Sequence, residues 1–398
     1  MILKSLIVIN AVLFSISLFG ISLVFLLYPM FLLVISLFIR KRMPERSQDK
    51  PMVSLIVVLR NAETIIDDKI QNFLSLNYPR DQFEIIIFSD GSTDQTEKII
   101  STYKINGMKF LSTPLHRGKA YGLNEAVQSC SGDIIVFSDA DALLSPDALH
   151  KIVRHYANPE IGGVCGQRVI YKDDVEMKSA QKDYIKFDST IKILESRIGS
   201  ITSNDGKIYS IRRKLFQPID PAVTDDLYCC LSIVRQKYRF IFEPEAKAFI
   251  RIPSRSWSHE ILRRRRIVAR SLRGIYLMRQ ILNPFRYGIY SIGLAINKVL
   301  RRMLPVCLIF LFLSSSVLSF YNPWIRLFFI LQAGAYLLAL SYPLFIKNVS
   351  DTNPFKNKCK KLSSLAWYIC VGNYGTFLGL LDFLSGKKIT KWDPIKTD

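Results

Sequence analysis

Residues 132–141 read GDIIVFSDAD, and this stretch decides how the rest of the chain is interpreted. Its β-branched and aromatic run predicts a buried strand, which ends in two carboxylates, Asp139 and Asp141. Ligands of an open α/β sheet bind in the crevice beyond the carboxyl ends of its strands. Two acids there can hold a hard divalent cation, because such cations take oxygen ligands and bridge to substrate phosphates. A solvated acidic loop is the simpler alternative, and the pair alone does not decide between the two.

The segments before this strand alternate between strand-like and helix-like patterns. We predict strands at 53–59, 84–89, 108–111 and directly before Asp139, and helices at 64–76 and 119–129. Such alternation favours a parallel, doubly wound sheet. Because the carboxyl ends of parallel strands share one edge, Asp90, after the second strand, is expected near Asp139 and Asp141.

The pattern after residue 146 is mixed. Strands are predicted at 161–170 and 206–213, and helices at 175–198 and 224–237. Thr224 is a plausible N-cap, and Asp225 and Asp226 suit the positive end of a helix dipole. This capping role accounts for both acids without excluding a catalytic one.

The composition indicates a membrane protein. The chain has 398 residues, of which 49% are hydrophobic, and its formal net charge is +21. A chain that is both basic and apolar fits an anionic lipid surface better than nucleic acid. Its basic cluster at 263–273 also lacks interleaved stacking aromatics. The seven cysteines show no metal-ligand spacing, so we expect free thiols in a reducing compartment.

An apolar segment precedes the α/β region. Residues 5–39 carry no charged side chain and exceed the roughly 20 residues that span a bilayer. We favour one helix bent near Tyr28 and Pro29, with two short spans as the alternative. Because residues 40–42 are Arg-Lys-Arg, the positive-inside rule places the following region in the cytoplasm.

Further apolar segments follow the α/β region. Uncharged spans are predicted at 304–325 and 327–346, joined by a tight turn at 322–324. Residues 362–385 are long enough to span, but the lysines after them favour a re-entrant or in-plane segment, and both readings remain open. The polybasic helix at 263–273 is either a membrane-surface anchor or a clamp for a diphosphate.

These observations give a domain organisation. We expect an N-terminal transmembrane segment (1–42), an α/β domain (51–250), basic and interfacial helices (251–302), a C-terminal transmembrane region (303–386) and a tail (387–398).

Several segments, taken together, resemble the membrane-bound family-2 glycosyltransferases, which include synthases of cell-surface polysaccharides. The resemblance covers about residues 52–273, and the matching segments are VSLIVV at 53–58 with Asn61 after it, FSDGSTD at 88–94, RGKA at 117–120, DAD at 139–141, Gly206 with Arg212, and TDD at 224–226. It implies an α/β GT-A (Rossmann-like) cytoplasmic domain flanked by N-terminal and C-terminal transmembrane helices. It also implies an integral, multi-pass protein of a bacterial-type plasma membrane.

The resemblance implies roles for individual residues. Asp90 would bind the base or ribose of a nucleotide-sugar donor, for which we expect a UDP-sugar. Asp139 and Asp141 would bind the donor and its Mg²⁺ or Mn²⁺, with Asp141 favoured for direct metal contact. Asp226 would be the general base. The remaining candidates are Asn61 and Lys119 for the donor, and Asp225, Arg263 and Arg266 for the acceptor or the diphosphate.

The sequence departs from the family pattern at two places. The acid expected directly after Asn61 is Ala62, with Glu63 one residue later, so that contact is not assigned. The Gln-x-x-Arg-Trp motif of processive synthases is absent, and RRRRI at 263–267 takes its place. Without the tryptophan of the acceptor platform, transfer of one or a few sugars is favoured over polymer extension.

Three hypotheses follow. The first is an inverting glycosyltransferase that acts on a lipid-linked or membrane-bound glycan acceptor. The second is a processive synthase that extends and extrudes a β-linked polymer, which would need an oligomer or an accessory subunit to build a channel. The third is a nucleotide-sugar-binding scaffold that has lost catalysis, which the retained acids argue against.

Overall fold

The computed structural model describes residues 2–39, 50–171, 177–250, 256–346 and 354–391. The strands are β1 (Val53–Leu59), β2 (Phe83–Asp90), β3 (Met108–Thr113), β4 (Ile134–Ser138), β5 (Ala142–Leu144), β6 (Ile161–Ile170), β7 (Ile208–Arg212) and β8 (Arg239–Ile250). The helices of the α/β region are α2 (Ile66–Leu74), α3 (Thr96–Thr102), α4 (Lys119–Gln128), α5 (Ala148–Val153), α6 (Met177–Ile198) and α7 (Asp225–Arg235). Helix α1 (Ile2–Phe38) precedes them, and α8 (Trp257–Leu277), α9 (Ile289–Leu318), α10 (Pro323–Ile346) and α11 (Pro354–Leu384) follow.

The eight strands form one mixed sheet in the order β3-β2-β1-β4-β7-β6-β8-β5. Strands β1, β2, β3 and β4 are parallel, which confirms the doubly wound half that the sequence predicts. Strand β7 runs antiparallel to both β4 and β6. The carboxyl end of β4 therefore lies beside the amino end of β7, and the loop that leads into β7 reaches the edge of the sheet that carries Asp139.

Strand β1 lies in the middle of the parallel half, and every one of its residues is buried. Leu55 and Val57 pack on one face with Phe73 of α2, while Ile56 packs on the other with Leu123 of α4. A parallel strand covered by helices on both sides has no polar face, so its sequence is a nearly continuous apolar run, interrupted only by Ser54. Truncation of Phe73 to alanine would cost about 3–5 kcal/mol of the free energy of unfolding.

Three helices are long and apolar enough to cross a membrane: α1, α9 and α10. Helix α1 is continuous and includes a π-helical turn at Leu23–Leu27, just before Pro29. Proline lacks an N–H and disturbs the regular ladder, so the wide turn falls where the sequence predicts a bend. The single N-terminal helix is confirmed, and the alternative of two short spans is wrong.

The second apolar helix begins earlier than the sequence predicts. Helix α9 starts at Ile289, inside the segment expected to lie at the membrane interface. The basic residues that suggested an interface contact the α/β domain instead. Lys298 Nζ donates to Ser203 Oγ at 2.6 Å, and Arg301 lies 3.9 Å from an oxygen of Asp188.

Helix α11 is not one of the three apolar helices found among the described residues. It packs along the polybasic helix α8, and Arg265 and Asp382 form an ion pair with N–O distances of 2.5 and 2.7 Å. The same polybasic helix therefore carries a structural contact in addition to either role that the sequence suggests.

Candidate active site

The turn after β4 is fixed by a buried lysine. Lys69 of α2 is 1% exposed, and its ammonium donates to Ser138 Oγ at 2.7 Å and to the carbonyl of Ala142. Burial lowers the pKa of Lys69 to about 7, although Asp141 and Asp139 oppose this effect. These two hydrogen bonds lie on either side of the turn that carries Asp139 and Asp141. Lys69 therefore fixes the backbone that positions both carboxylates.

Two further lysines bridge the acids of the cleft. Lys119 Nζ lies 2.6 Å from Asp139 Oδ1 and 2.8 Å from Asp225 Oδ2. Lys207 Nζ lies 3.0 Å from Asp139 Oδ2 and 2.7 Å from Asp141 Oδ1. Burial would raise the pKa of Asp139, but the two ammonium groups outweigh it and lower this pKa. Asp139 is therefore held ionised by cations on both of its oxygens.

Asp226 faces the same cleft as Asp139. A Cβ atom built on Gly206 would lie 3.6 Å from Asp226 Oδ2 and 3.8 Å from Asp139 Oδ2, so both carboxylates contact one small space that glycine leaves open. Burial and the neighbouring Asp225 raise the pKa of Asp226 to about 6. Asn204 Nδ2 donates to the backbone carbonyl of Asp226 at 2.9 Å and fixes the start of α7.

Thr224 occupies the N-cap position of α7, but its side chain makes no capping hydrogen bond. The N-cap position that the sequence predicts is therefore confirmed, without a side-chain hydrogen bond. Arg270 of α8 fixes this loop instead, because its Nε donates to the carbonyl of Val223 at 2.9 Å. Asp226 Oδ1 accepts from the N–H of Leu227 at 2.7 Å, so this acid contacts the start of α7 while its other oxygen faces the space at Gly206.

Asp90 is 2% exposed and accepts hydrogen bonds from a neighbouring loop. Its oxygens accept from the backbone N–H groups of Arg117 and Gly118 at 2.7 and 2.8 Å, and Oδ2 lies 2.8 Å from His116 Nδ1. A Cβ on Gly91 would lie 2.6 Å from the backbone nitrogen of His116. Asp90 thus holds the loop that begins α4, the helix that carries Lys119.

Asn61 joins two loops at the edge of the sheet. Its Oδ1 accepts from the N–H of Thr93 at 2.8 Å, and its own N–H donates to Ser92 Oγ at 3.1 Å. Glu63 Oε2 accepts from the N–H of Gln95 at 2.9 Å. Glu63, which lies one residue after the position where the family pattern has an acid, therefore positions the segment before α3.

The structure distinguishes between the two arginines that the sequence proposes. Arg263 donates to Glu260 through Nε at 3.1 Å, on its own helix. Arg266 is within electrostatic range of Asp139 and Asp225, while burial and the nearby Arg270 and Arg263 lower its pKa to about 10. Of the two arginines, Arg266 is therefore the one that interacts with Asp139 and Asp225.

The pair Asp139 and Asp141 fits a divalent cation. Among the described residues, no group of three or more His, Cys, Asp or Glu side chains could hold a metal ion. Mg²⁺ is commonly bound by one or two carboxylates with substrate phosphates and water as the other ligands. The oxygens of this pair already attract the ammonium of Lys207, which shows that they favour a positive group.

Sequence reasoning missed Lys69 and Lys207. Lys69 lies on a predicted helix more than sixty residues before Asp139, and nothing in its neighbourhood marks it as functional. Lys207 follows Gly206 of the family pattern, so the signal was present, although only the glycine was assigned.

Comparison with known proteins finds a matching family model, similar sequences and a similar fold. Residues 54–220 match the family model described as Glycosyl transferase family 2. The poly-β-1,6-N-acetyl-D-glucosamine synthase of Staphylococcus epidermidis is 28% identical over 208 residues, which is 50% of this chain and 50% of the relative. The synthase of the same name from Staphylococcus aureus (strain COL) is 26% identical over 210 residues, again 50% of each. The chain thus spans about half the length of the curated relatives it matches.

A solved structure extends the comparison to the whole chain. The mannosyltransferase of Pyrobaculum calidifontis, in complex with GDP-mannose and Mn²⁺, aligns with a TM-score of 0.70 at 20% identity, over 94% of this chain and 100% of that one. The fold is therefore that of the GT-A class. Residues 54–220 match the Glycosyl transferase family 2 model, which confirms the resemblance noted in the sequence.

Proposed function

We propose that the protein is an inverting glycosyltransferase that moves a sugar from a nucleotide-sugar donor to the hydroxyl of a lipid-linked or membrane-associated acceptor. The observation that carries this proposal is the shared space at Gly206, which both Asp226 and Asp139 contact. A proton acceptor and a cation-binding carboxylate beside one space suit the two ends of a displacement reaction. A UDP-sugar is the donor we favour.

The donor side of the cleft is positive where the leaving group forms. Displacement of a nucleoside diphosphate from the anomeric carbon develops negative charge on its oxygens, which fixed cations stabilise. Lys119 and Arg266 face this region, and Lys119 is positioned by its bonds to Asp139 and Asp225. A divalent cation, Mg²⁺ or Mn²⁺, held by Asp139 and Asp141 would add charge stabilisation of the same kind.

The acceptor side contains the base. Asp226 removes the proton of the attacking hydroxyl as that oxygen forms a bond to the anomeric carbon and the bond to the diphosphate breaks. The raised pKa suits this task, because a carboxylate near pKa 6 binds the proton more strongly than an ordinary aspartate. Attack from the face opposite the diphosphate inverts the centre, so an α-linked donor gives a β-linked product.

The membrane helices set where this reaction occurs. The three apolar helices favour a multi-pass protein, and Arg-Lys-Arg at 40–42 favours a cytoplasmic catalytic domain by the positive-inside rule. We place the enzyme in a bacterial-type plasma membrane. A nucleotide sugar would then enter from the cytoplasm, while an acceptor held in the bilayer would reach the cleft from the membrane side.

The test is transfer from a panel of donors. Membranes that contain the protein are incubated with UDP- and GDP-sugars, including UDP-N-acetylglucosamine and GDP-mannose, with Mn²⁺ or Mg²⁺. Mass spectrometry of the lipid fraction is expected to show one or a few added sugars with one donor. No donor-dependent product with any member of the panel would contradict the proposal.

A processive synthase is the second candidate, and the relatives favour it, because they are named poly-β-1,6-N-acetyl-D-glucosamine synthases. Against it stands RRRRI at 263–267, which lacks the glutamine and tryptophan of the processive motif. Labelled donor separates the two, since a ladder of long products supports the second candidate. That activity would need an oligomer or an accessory subunit to complete a channel.

A further inference from the structure

The ammonium of Lys207 lies between the two carboxylates that would bind a cation. Its Nζ is 3.0 Å from Asp139 Oδ2, and 2.7 and 2.9 Å from the two oxygens of Asp141. A lysine ammonium has three donors, and three carboxylate oxygens lie around this one. The chain thus supplies its own positive charge at the oxygens of the Asp-Ala-Asp turn.

Lys119 and Lys207 contact different oxygens of Asp139. Lys119 contacts Oδ1 and also Asp225, whereas Lys207 contacts Oδ2 and also Asp141. Among the described residues, Lys207 is the lysine that contacts both acids of the turn. A divalent cation that used both acids would meet the ammonium there, and two positive charges at such a distance repel each other.

The side chain of Lys207 can leave while its backbone stays in place. Its carbonyl accepts a hydrogen bond from Ser138 Oγ at 3.2 Å, and Ile208 pairs with Ser138 in the sheet. Its side chain is 19% exposed, and that of Asp141 is 51% exposed, so the ammonium has a route toward solvent. Four rotatable carbons allow this movement without a change in the fold.

We propose that Lys207 competes with the divalent cation in the donor-free enzyme, so that the cation binds tightly only together with the nucleotide diphosphate. The negative charge of the diphosphate can balance both the cation and the displaced ammonium. Cation and nucleotide therefore raise each other's affinity, because a coupling between two ligands is reciprocal. This inference rests on the proposed function and deepens it by naming the residue that links the two ligands.

The test is a Mn²⁺ titration of the full chain in detergent, with free Mn²⁺ measured by electron paramagnetic resonance. Without nucleotide, Lys207→Met is expected to bind Mn²⁺ about fivefold or more tightly than the wild type, from loss of the competing ion pair. Lys207→Arg keeps the charge and is expected to bind as weakly as the wild type. Lys214→Met, an exposed lysine in the following turn, is the matched control and should change nothing.

A second measurement uses the unmodified chain, which guards against a variant that fails to fold. Addition of UDP is expected to tighten Mn²⁺ binding more in the wild type than in Lys207→Met. Asp141→Asn in the Lys207→Met background should remove the tight site, which locates it at the turn. Equal Mn²⁺ affinities of wild type and Lys207→Met, or a wild-type affinity that UDP leaves unchanged, would overturn the proposal.

The titration also separates this proposal from the proposed function. The titration requires no sugar transfer. If the protein transfers sugar but its Mn²⁺ affinity does not depend on Lys207, the competition is contradicted and the proposed function stands. If the Mn²⁺ affinity depends on Lys207 but no donor of the panel is used, the proposed function is contradicted and the competition stands.

Discussion

At the scale of single residues, the cleft keeps two kinds of carboxylate in different environments. Asp139 receives an ammonium on each oxygen, which lowers its pKa against the effect of burial. Asp226 instead accepts a hydrogen bond from the backbone N–H of Leu227 at 2.7 Å, and burial beside Asp225 raises its pKa to about 6. Pairs of titratable groups whose pKa values are pushed apart commonly separate binding from proton transfer.

Asp226→Asn tests the base directly. The amide cannot accept the proton of the acceptor hydroxyl, so the turnover rate is expected to fall by about 10²–10⁴-fold. Nucleotide affinity should stay close to that of the wild type, because the donor acids are unchanged. Asp133→Asn, an exposed aspartate at the start of β4, serves as the control. A variant as active as the parent would exclude Asp226 as the base.

The pKa of Asp226 predicts an acidic limb in the rate profile. The base works only when ionised, and its pKa of about 6 means that kcat/KM is expected to fall about tenfold per unit as the pH drops below 6. Initial rates between about pH 5 and 8 measure this limb. Asp225→Asn removes the like charge and should move the limb to lower pH, while an unmoved limb would show that Asp225 does not set it.

Some site residues can be predicted from the sequence because they lie next to a recognisable strand or helix, and others cannot. Asp139 and Asp141 end an apolar strand, and Asp225 and Asp226 begin a helix, so local pattern identifies all four. Lys69 reaches the turn only because α2 packs on the sheet and its long side chain extends to Ser138. That contact depends on tertiary packing, which a single sequence does not record.

At the scale of elements, α8 and α11 pack closely enough to require glycine. A Cβ on Gly379 would lie 2.5 Å from the backbone oxygen of Arg265, and one on Gly375 would lie 2.9 Å from the oxygen of Ile261. Small residues let two helix backbones approach each other. The ion pair of Arg265 with Asp382 lies beside these glycines, so the same contact also fixes an arginine of the polybasic helix.

Gly379→Ala is expected to destabilise this contact. The added methyl group meets backbone that cannot rotate away, and overpacking of this kind costs about 1–3 kcal/mol. The melting temperature in detergent should therefore fall. Gly334→Ala in α10 is the matched control, because nothing lies within 4 Å of its Cβ position and alanine is the better helix former. Equal melting temperatures for both variants would contradict the packing.

Element boundaries were predictable where the pattern was uniform. Strands β1 and β6 have the bounds that the sequence predicts. Strand β1 is a nearly continuous apolar run, whereas β6 also contains Gln167 and Arg168. Strand β8 was not predicted, because its sequence includes a proline and several charged residues. The start of α9 was misplaced for a related reason: Lys298 indicates an interface by composition, whereas in the fold it binds Ser203.

At the scale of the whole molecule, contacts between distant segments constrain the topology. Helices α9 and α10 are joined by the turn at Asn322, whose Oδ1 accepts from the N–H of Trp324 at 2.8 Å. If both helices cross the membrane, as we propose, the chain returns to the side from which it left. The ion pair of Asp382 with Arg265 would then hold the carboxyl end of α11 beside α8, on the side of the catalytic domain.

This topology predicts the behaviour of reporter fusions. Green fluorescent protein fused after Asp398 is expected to fluoresce, and alkaline phosphatase at the same position is expected to be inactive, because both would lie in the cytoplasm. Alkaline phosphatase fused after Tyr321, within the turn between the two spans, should be active. The ratio of the two phosphatase activities, normalised to fusion protein in the membrane, is the measurement. An active C-terminal phosphatase would mean that the chain after α11 lies on the far side of the bilayer, and it would contradict this topology.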